Sequence, residues 1–203
     1  MLKYILMIIA AIALCGGVAA LVHLHNVNTK NKAEMAQYKN NGTYSNNLGK
    51  VLVMYYSLSG QTEKIARQIA ELTGGELYEI KVEETYSSPS VYMKSKKEYE
   101  SKQYPKLAAE LPDFAQYDTV FIGGPVWWYT MAVPLFSLLK VADFDGKKVV
   151  PFSTQGSNFG AFFEDFNALA KNADIQTSAN FNNMKPEFDA QVKNKIIDWL
   201  NRL

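Results

Sequence analysis

Val51-Leu52-Val53-Met54-Tyr55-Tyr56-Ser57-Leu58-Ser59-Gly60-Gln61-Thr62 decides how the chain is read. Its first six residues are an unbroken apolar run ended by turn residues, the pattern of a strand covered on both faces by other layers. The next six pack three hydroxyls and a glycine together. Directly afterwards Ile65, Ala66, Ile69 and Leu72 recur at helical spacing, and Thr73-Gly74-Gly75 supplies a left-handed stop. Buried strand, hydroxyl-rich turn and helix in succession form a phosphate cradle, where backbone N–H groups and the helix dipole hold an anion without a basic side chain. Ordinary Ser and Thr capping accounts for one or two of these hydroxyls, not for all three.

Outward from this stretch, strand-like and helix-like segments alternate. Glu76 to Val82 places Tyr78, Ile80 and Val82 on one face against Glu79 and Lys81, which suits an edge strand. The connection from Glu83 to Asp118 is long, and its middle, Ser90 to about Gln103, is a charged helix carrying Lys94, Lys96, Lys97, Glu98, Glu100 and Lys102, read as a solvated face. Thr119 to Ile122 is a second buried strand, ended by Gly123-Gly124-Pro125, and Val133 to Val141 is a short helix with Pro134 in its first turn. Lys148 to Ser153 is another strand, in which Pro151 is expected near an end because it has no N–H for a ladder. Phe159 to Lys171 is a helix, Ile175 to Phe181 a weak fifth strand, and Glu187 to Leu203 a closing helix with Val192, Ile196, Trp199 and Leu203 on one stripe. The alternation predicts an α/β domain over 50–203, a doubly wound five-stranded parallel sheet with helices on both faces.

The rare residues narrow the chemistry. Among 203 residues there is one cysteine, Cys15, and two histidines, His23 and His25. From Asn26 onward the chain therefore has no thiol and no imidazole, which removes a Cys nucleophile, a Ser-His-Asp triad, a Cys/His zinc site and any disulfide. A bound cofactor is left to do the chemistry. Lys+Arg 21 against Asp+Glu 20 leaves no chain-wide basic field, so nucleic acid is not an expected partner.

At the other end, Tyr4 to Val22 is 19 uncharged residues behind Lys3, close to the ~30 Å hydrocarbon thickness of a bilayer when helical. Residues 1–25 are read as a membrane anchor or as a secretory signal, with Val18-Ala19-Ala20 supplying small residues for cleavage. Cys15 after Ile12-Ala13-Leu14 is similar to a bacterial lipoprotein box, apart from the bulky Leu14. Lysines flank both ends of the segment, so the positive-inside rule votes both ways; the extracytoplasmic side is favoured. Residues 26–49, rich in Asn, Lys and Ser and without a 2.0 or 3.6 period, read as a flexible linker.

In a doubly wound sheet the ligand sits outside the carboxyl ends of the strands. The loop at Ser57 has no Gly-Lys-Ser/Thr of a P-loop and no Gly-x-Gly-x-x-Gly, and the chain lacks the acidic pair of a receiver domain. It resembles the phosphate loop of the flavodoxin family, Ser/Thr-x-Thr-Gly-x-Thr, with Ser59 in place of a Thr. Gly123-Gly124-Pro125-Val126-Trp127-Trp128-Tyr129 is similar to a Gly-x-Pro-x-Trp-Trp loop that lines the flavin in one flavodoxin-like subfamily. Thr154-Gln155-Gly156-Ser157 is similar to that subfamily's Thr-Ser-Gly-Gly-Ser loop. The resemblance covers Lys50 to Leu203 and implies strand order 2-1-3-4-5, the short-chain form and noncovalent FMN. The cofactor would be held by Ser57, Leu58, Ser59, Gly60, Gln61 and Thr62 at the phosphate, and by Pro125, Val126, Trp127, Trp128, Tyr129, Thr154, Gln155, Gly156 and Ser157 at the ring. Core packing remains an equal alternative for each Trp.

Two activities follow from the resemblance: electron transfer with a redox partner protein at a membrane, or FMN-dependent NAD(P)H oxidation passing electrons to a quinone-like small molecule. Carrier flavodoxins are strongly acidic, whereas without the first 25 residues, which hold only Lys3, this chain's charges balance. That balance argues against a freely diffusing shuttle steered by charge.

Overall fold

The apolar run at residue 51 becomes a fully buried strand in a computed structural model that describes residues 2–40, 42–87, 90–182 and 185–203. In chain order the elements are α1 (Leu2–Met35), β1 (Val51–Tyr55), α2 (Gln61–Thr73), β2 (Glu76–Glu79), α3 (Val91–Ser101), β3 (Thr119–Trp127), β4 (Thr130–Met131), α4 (Val133–Val141), β5 (Lys148–Gln155), α5 (Phe162–Leu169), β6 (Asp174–Ile175), β7 (Ala179–Asn182) and α6 (Asp189–Leu200). The sheet runs β2-β1-β3-β5-β6, with β7 also on β5 and β4 on β3. All pairings are parallel except the β3–β4 hairpin. This is the expected order 2-1-3-4-5, its fifth strand delivered as two short pieces laid end to end along β5.

Pro151 explains the break. It stands in the middle of β5, not near an end, and opposes Ile122 of β3. Two residues earlier Val149 accepts from Gln176 N–H at 2.9 Å, so odd-numbered β5 residues turn their backbone polar groups toward the fifth strand. Pro151 has no N–H to give on that side, and pairing stops after Val149↔Ile175 and resumes at Phe152↔Ala179.

Successive residues of a strand face opposite sides, and each side here has its own core. Val51, Val53, Phe121, Val150 and Phe152 pack with α2 and α6 through Ile65, Ile69, Ile196 and Trp199. Leu52, Met54, Val120, Ile122 and Val149 pack with α4 and α5 through Leu135, Leu138, Phe162 and Phe166. β3 continues five residues past its expected end at Ile122 because Gly123 and Gly124 keep it thin. A Cβ on Gly123 would lie 2.1 Å from the Phe152 ring, and one on Gly124 would lie 2.5 Å from Leu135.

The reading of 26–49 as a flexible linker is corrected. α1 continues to Met35, and both Asn31 and Met35 are buried. Tyr38, Tyr44 and Leu48 then pack against the α2/α6 core. The strap is tied to α6 by Asn194 Nδ2 to Tyr38 O (2.8 Å), Asn201 Nδ2 to Thr43 O (2.9 Å) and Asn46 Nδ2 to Leu200 O (2.9 Å). Asn41, within the same stretch, lies outside the described residues. A period test misses this segment because it lies along α6 as irregular chain, held by asparagine amides and single side chains. Toward its other end α1 leaves Ile5, Ile9, Leu14, Val18 and Leu21 exposed, and among the described residues no helix is long and apolar enough to cross a membrane.

Candidate functional site

After β1 the chain turns through Ser57 to Gly60, which stands at φ +82° and begins α2. A left-handed residue is cheap only for glycine, and here no side chain caps the helix, so its first-turn N–H groups stay open to an anion. Ser57 Oγ is buried with no hydrogen-bond partner among the described residues. Ser59 and Gln61 line a cleft of about 470 Å³ with Pro125, Val126, Thr154, Gln155 and Gly156. Thr62 is buried and its Oγ1 lies 2.7 Å from Thr154 Oγ1, which ties the first loop to the end of β5. Leu58 and Gly60 are exposed at the turn. Lys185 and Pro186 also border the cleft; nothing in the local sequence marks them, since they reach it only through the fold.

A second cleft of about 400 Å³ shares Val126, Gln155 and Gly156 with the first and is lined by Trp127, Trp128, Tyr129 and Ser157. Every expected site residue thus falls on one continuous trough or on the turn that closes it. Tyr92 and Asn158, which the sequence reading did not single out, line the second cleft as well.

The aromatic loop is a tight hairpin, with Val126↔Met131 and Trp127↔Thr130 paired across a two-residue turn. The three rings have different duties. Trp127 stacks edge-on with Tyr56 (5.5 Å between centroids) and Tyr86 (5.2 Å), on the core side of the trough. Trp128 donates Nε1–H to Ser95 Oγ at 3.0 Å and meets the edge of Tyr92 on α3 at 6.0 Å. Tyr129 is 72 % exposed. Burial first, then Glu98, pushes the Tyr56 phenol far above its ordinary pKa. Burial and a 2.5 Å hydrogen bond to Glu98 do the same for Tyr86. Both phenols stay protonated at any physiological pH and serve as donors and apolar walls, not as acids.

Trp128 and Tyr129 both have positive φ, +55° and +61°, in a turn that favours Asn-Gly. Each bulky residue there costs about 1–2 kcal/mol. Replacing the pair by Asn-Gly should raise the stability of the ligand-free protein by roughly 1–2 kcal/mol, measured by urea unfolding, and should weaken flavin binding. A stability loss would show that ring contacts outweigh backbone strain.

The Gln155 side chain is held on both sides: Ser153 Oγ donates to its Oε1 (2.9 Å), and its Nε2 donates to Asn180 Oδ1 (3.0 Å). With an anion cradle at one end and flat aromatic walls at the other, the trough fits a phosphate joined to a planar ring system.

The family model for flavodoxin matches residues 50–203. The chain belongs to the flavodoxin family. No curated protein matches it. Among solved structures, this flavodoxin-family chain is similar to a flavoprotein from Bacteroides uniformis, at 28% identity and TM-score 0.65 over 74% of this chain and 97% of that one. A flavoprotein from Bacteroides eggerthii is similar at 25% identity and TM-score 0.66, covering 76% of this chain and 97% of that one. A flavoprotein from Lactobacillus acidophilus, solved in complex with FMN, is 30% identical with TM-score 0.60 over 65% of this chain and 93% of that one.

Proposed function

We propose that this flavodoxin-family protein binds FMN in the trough and transfers electrons, with its N-terminal arm directing it to a membrane or into an export route. The observation that carries the cofactor assignment is Ser57 Oγ, buried and unpartnered beside a helix whose first turn no side chain caps. A phosphate would satisfy both. The FMN bound by the Lactobacillus acidophilus relative supports the same ligand.

When bound, FMN supplies one- and two-electron chemistry that no side chain here offers. The residues of this chain do the rest. Ser57, Ser59 and the α2 amides anchor the phosphate, the Trp127–Tyr129 hairpin walls the ring from water, and Gln155 presents a fixed amide at the opposite wall. The exposed aliphatic side chains of α1 support the targeting role of the arm. Near-zero net charge supports a partner already concentrated at a surface, a membrane redox protein or a quinone-like small molecule, over one steered in by charge.

Purified protein should be yellow with one FMN per chain, bind riboflavin far more weakly, and exchange electrons with a membrane-associated acceptor. The exchange rate should change less than about threefold between low and physiological salt, because exposed charges are screened beyond ~10 Å. A steep fall with salt would place a charged docking face on the protein. Rapid NAD(P)H oxidation without any membrane component would make it a free-standing reductase.

A further inference from the structure

One wall of the trough is connected to the far side of the domain by a short run of contacts. Gln155, fixed by Ser153, donates to Asn180 Oδ1 at 3.0 Å. The main-chain carbonyl of the same Asn180 accepts from Lys195 Nζ at 2.5 Å. Lys195 is only 7 % exposed, lies 5.0 Å over the Phe181 ring, and is paired with Glu34, near the end of α1. An ammonium at this depth is costly to leave without a carboxylate, so the pairing with Glu34 and the grip on Asn180 are made together or lost together.

We propose that Lys195 is a positioning residue for the cofactor trough and that Glu34 sets it in place. Docking of the N-terminal strap then fixes the amide of Gln155. The ammonium pins the β7 backbone at Asn180, and the Asn180 side chain pins the Gln155 amide through its Nε2. With the strap lifted, Lys195 would turn to water, Asn180 would lose its anchor, and Gln155 would sample other rotamers. The strap would therefore tune cofactor affinity without touching the trough. The consequence for FMN rests on the cofactor reading above; the mechanical connection from Glu34 to Gln155 does not.

The test uses the full-length chain with Lys195→Met, Glu34→Gln, Lys195→Arg as the conservative rescue, and Met35→Ala as a control. Met35 is buried in the same strap but outside the run of contacts. Two properties are measured beside stability: the NMR signals of the Gln155 side-chain amide in ligand-free protein, and FMN affinity by titration. Lys195→Met and Glu34→Gln should both shift the amide signals and weaken FMN binding about fivefold or more, the lower end of measured couplings between sites. Lys195→Arg should recover part of each change, and Met35→Ala should lower stability with neither. Amide signals unmoved in both of the first two variants, or moved equally by Met35→Ala, would overturn the proposal. If the unaltered chain bound no FMN, the cofactor reading would fall, and the amide signals would still decide whether Lys195 positions Gln155.

Discussion

A chain that begins at Lys50 is expected to lose roughly 5 kcal/mol or more of folding stability, while one that begins at Asn26 keeps nearly all of it. The large loss has two sources. Removing Glu34 strands the buried Lys195 ammonium, and breaking a buried pair by deleting one partner costs about 3–5 kcal/mol. Taking away Met35 and Leu48, with the half-buried Tyr38 and Tyr44, uncovers the α2/α6 core, and a buried Met alone is worth about 2–5 kcal/mol. The total approaches the whole stability of an ordinary domain. By contrast, the side chains of Ile5 to Leu21 named above touch solvent, not the domain. Urea unfolding of the chains 26–203 and 50–203 makes the comparison. Coincident midpoints would mean that the strap only rests on α6.

The second large effect is expected at the cradle, and its sign reverses with the ligand. Ser57→Ala together with Ser59→Ala should weaken FMN binding by about two orders of magnitude, since two hydrogen bonds to a charged group are worth about 3 kcal/mol or more. Without FMN, Ser57→Ala should leave stability unchanged or raise it, because the hydroxyl it removes is buried and unpartnered. Isothermal titration with FMN and thermal unfolding of the ligand-free variant measure the two halves. Affinity within about twofold of the original would remove the phosphate from this loop.

Regular repeats in the sequence carried most of the fold. β1 and α2 fall within a residue of the periodic reading, and Val133–Val141 coincides with α4. The three ligand loops also read correctly, because each follows an apolar strand and carries a composition that packing does not demand. What escaped has a common cause. The strap from Asn31 to Leu48 has no period, since it is held by one ion pair and scattered asparagine amides to a helix some 155–160 residues away. Lys185, Tyr92 and Asn158 reach the trough by topology alone. The split of the fifth strand needed the hydrogen-bonding direction of Pro151, which is a matter of register and not of composition. Trp127 and Trp128 looked equivalent as neighbours, but alternation along β3 and the turn after it send one toward the Tyr56–Tyr86 core and the other to Ser95 on α3.

The clasp between strap and last helix also orders events during synthesis. The strap leaves the ribosome first and α6 leaves last, so their contacts must wait until the whole chain is available. Any machinery that holds the amino terminus in the meantime also holds this final step open. The domain would then reach its finished state only after its first segment is released.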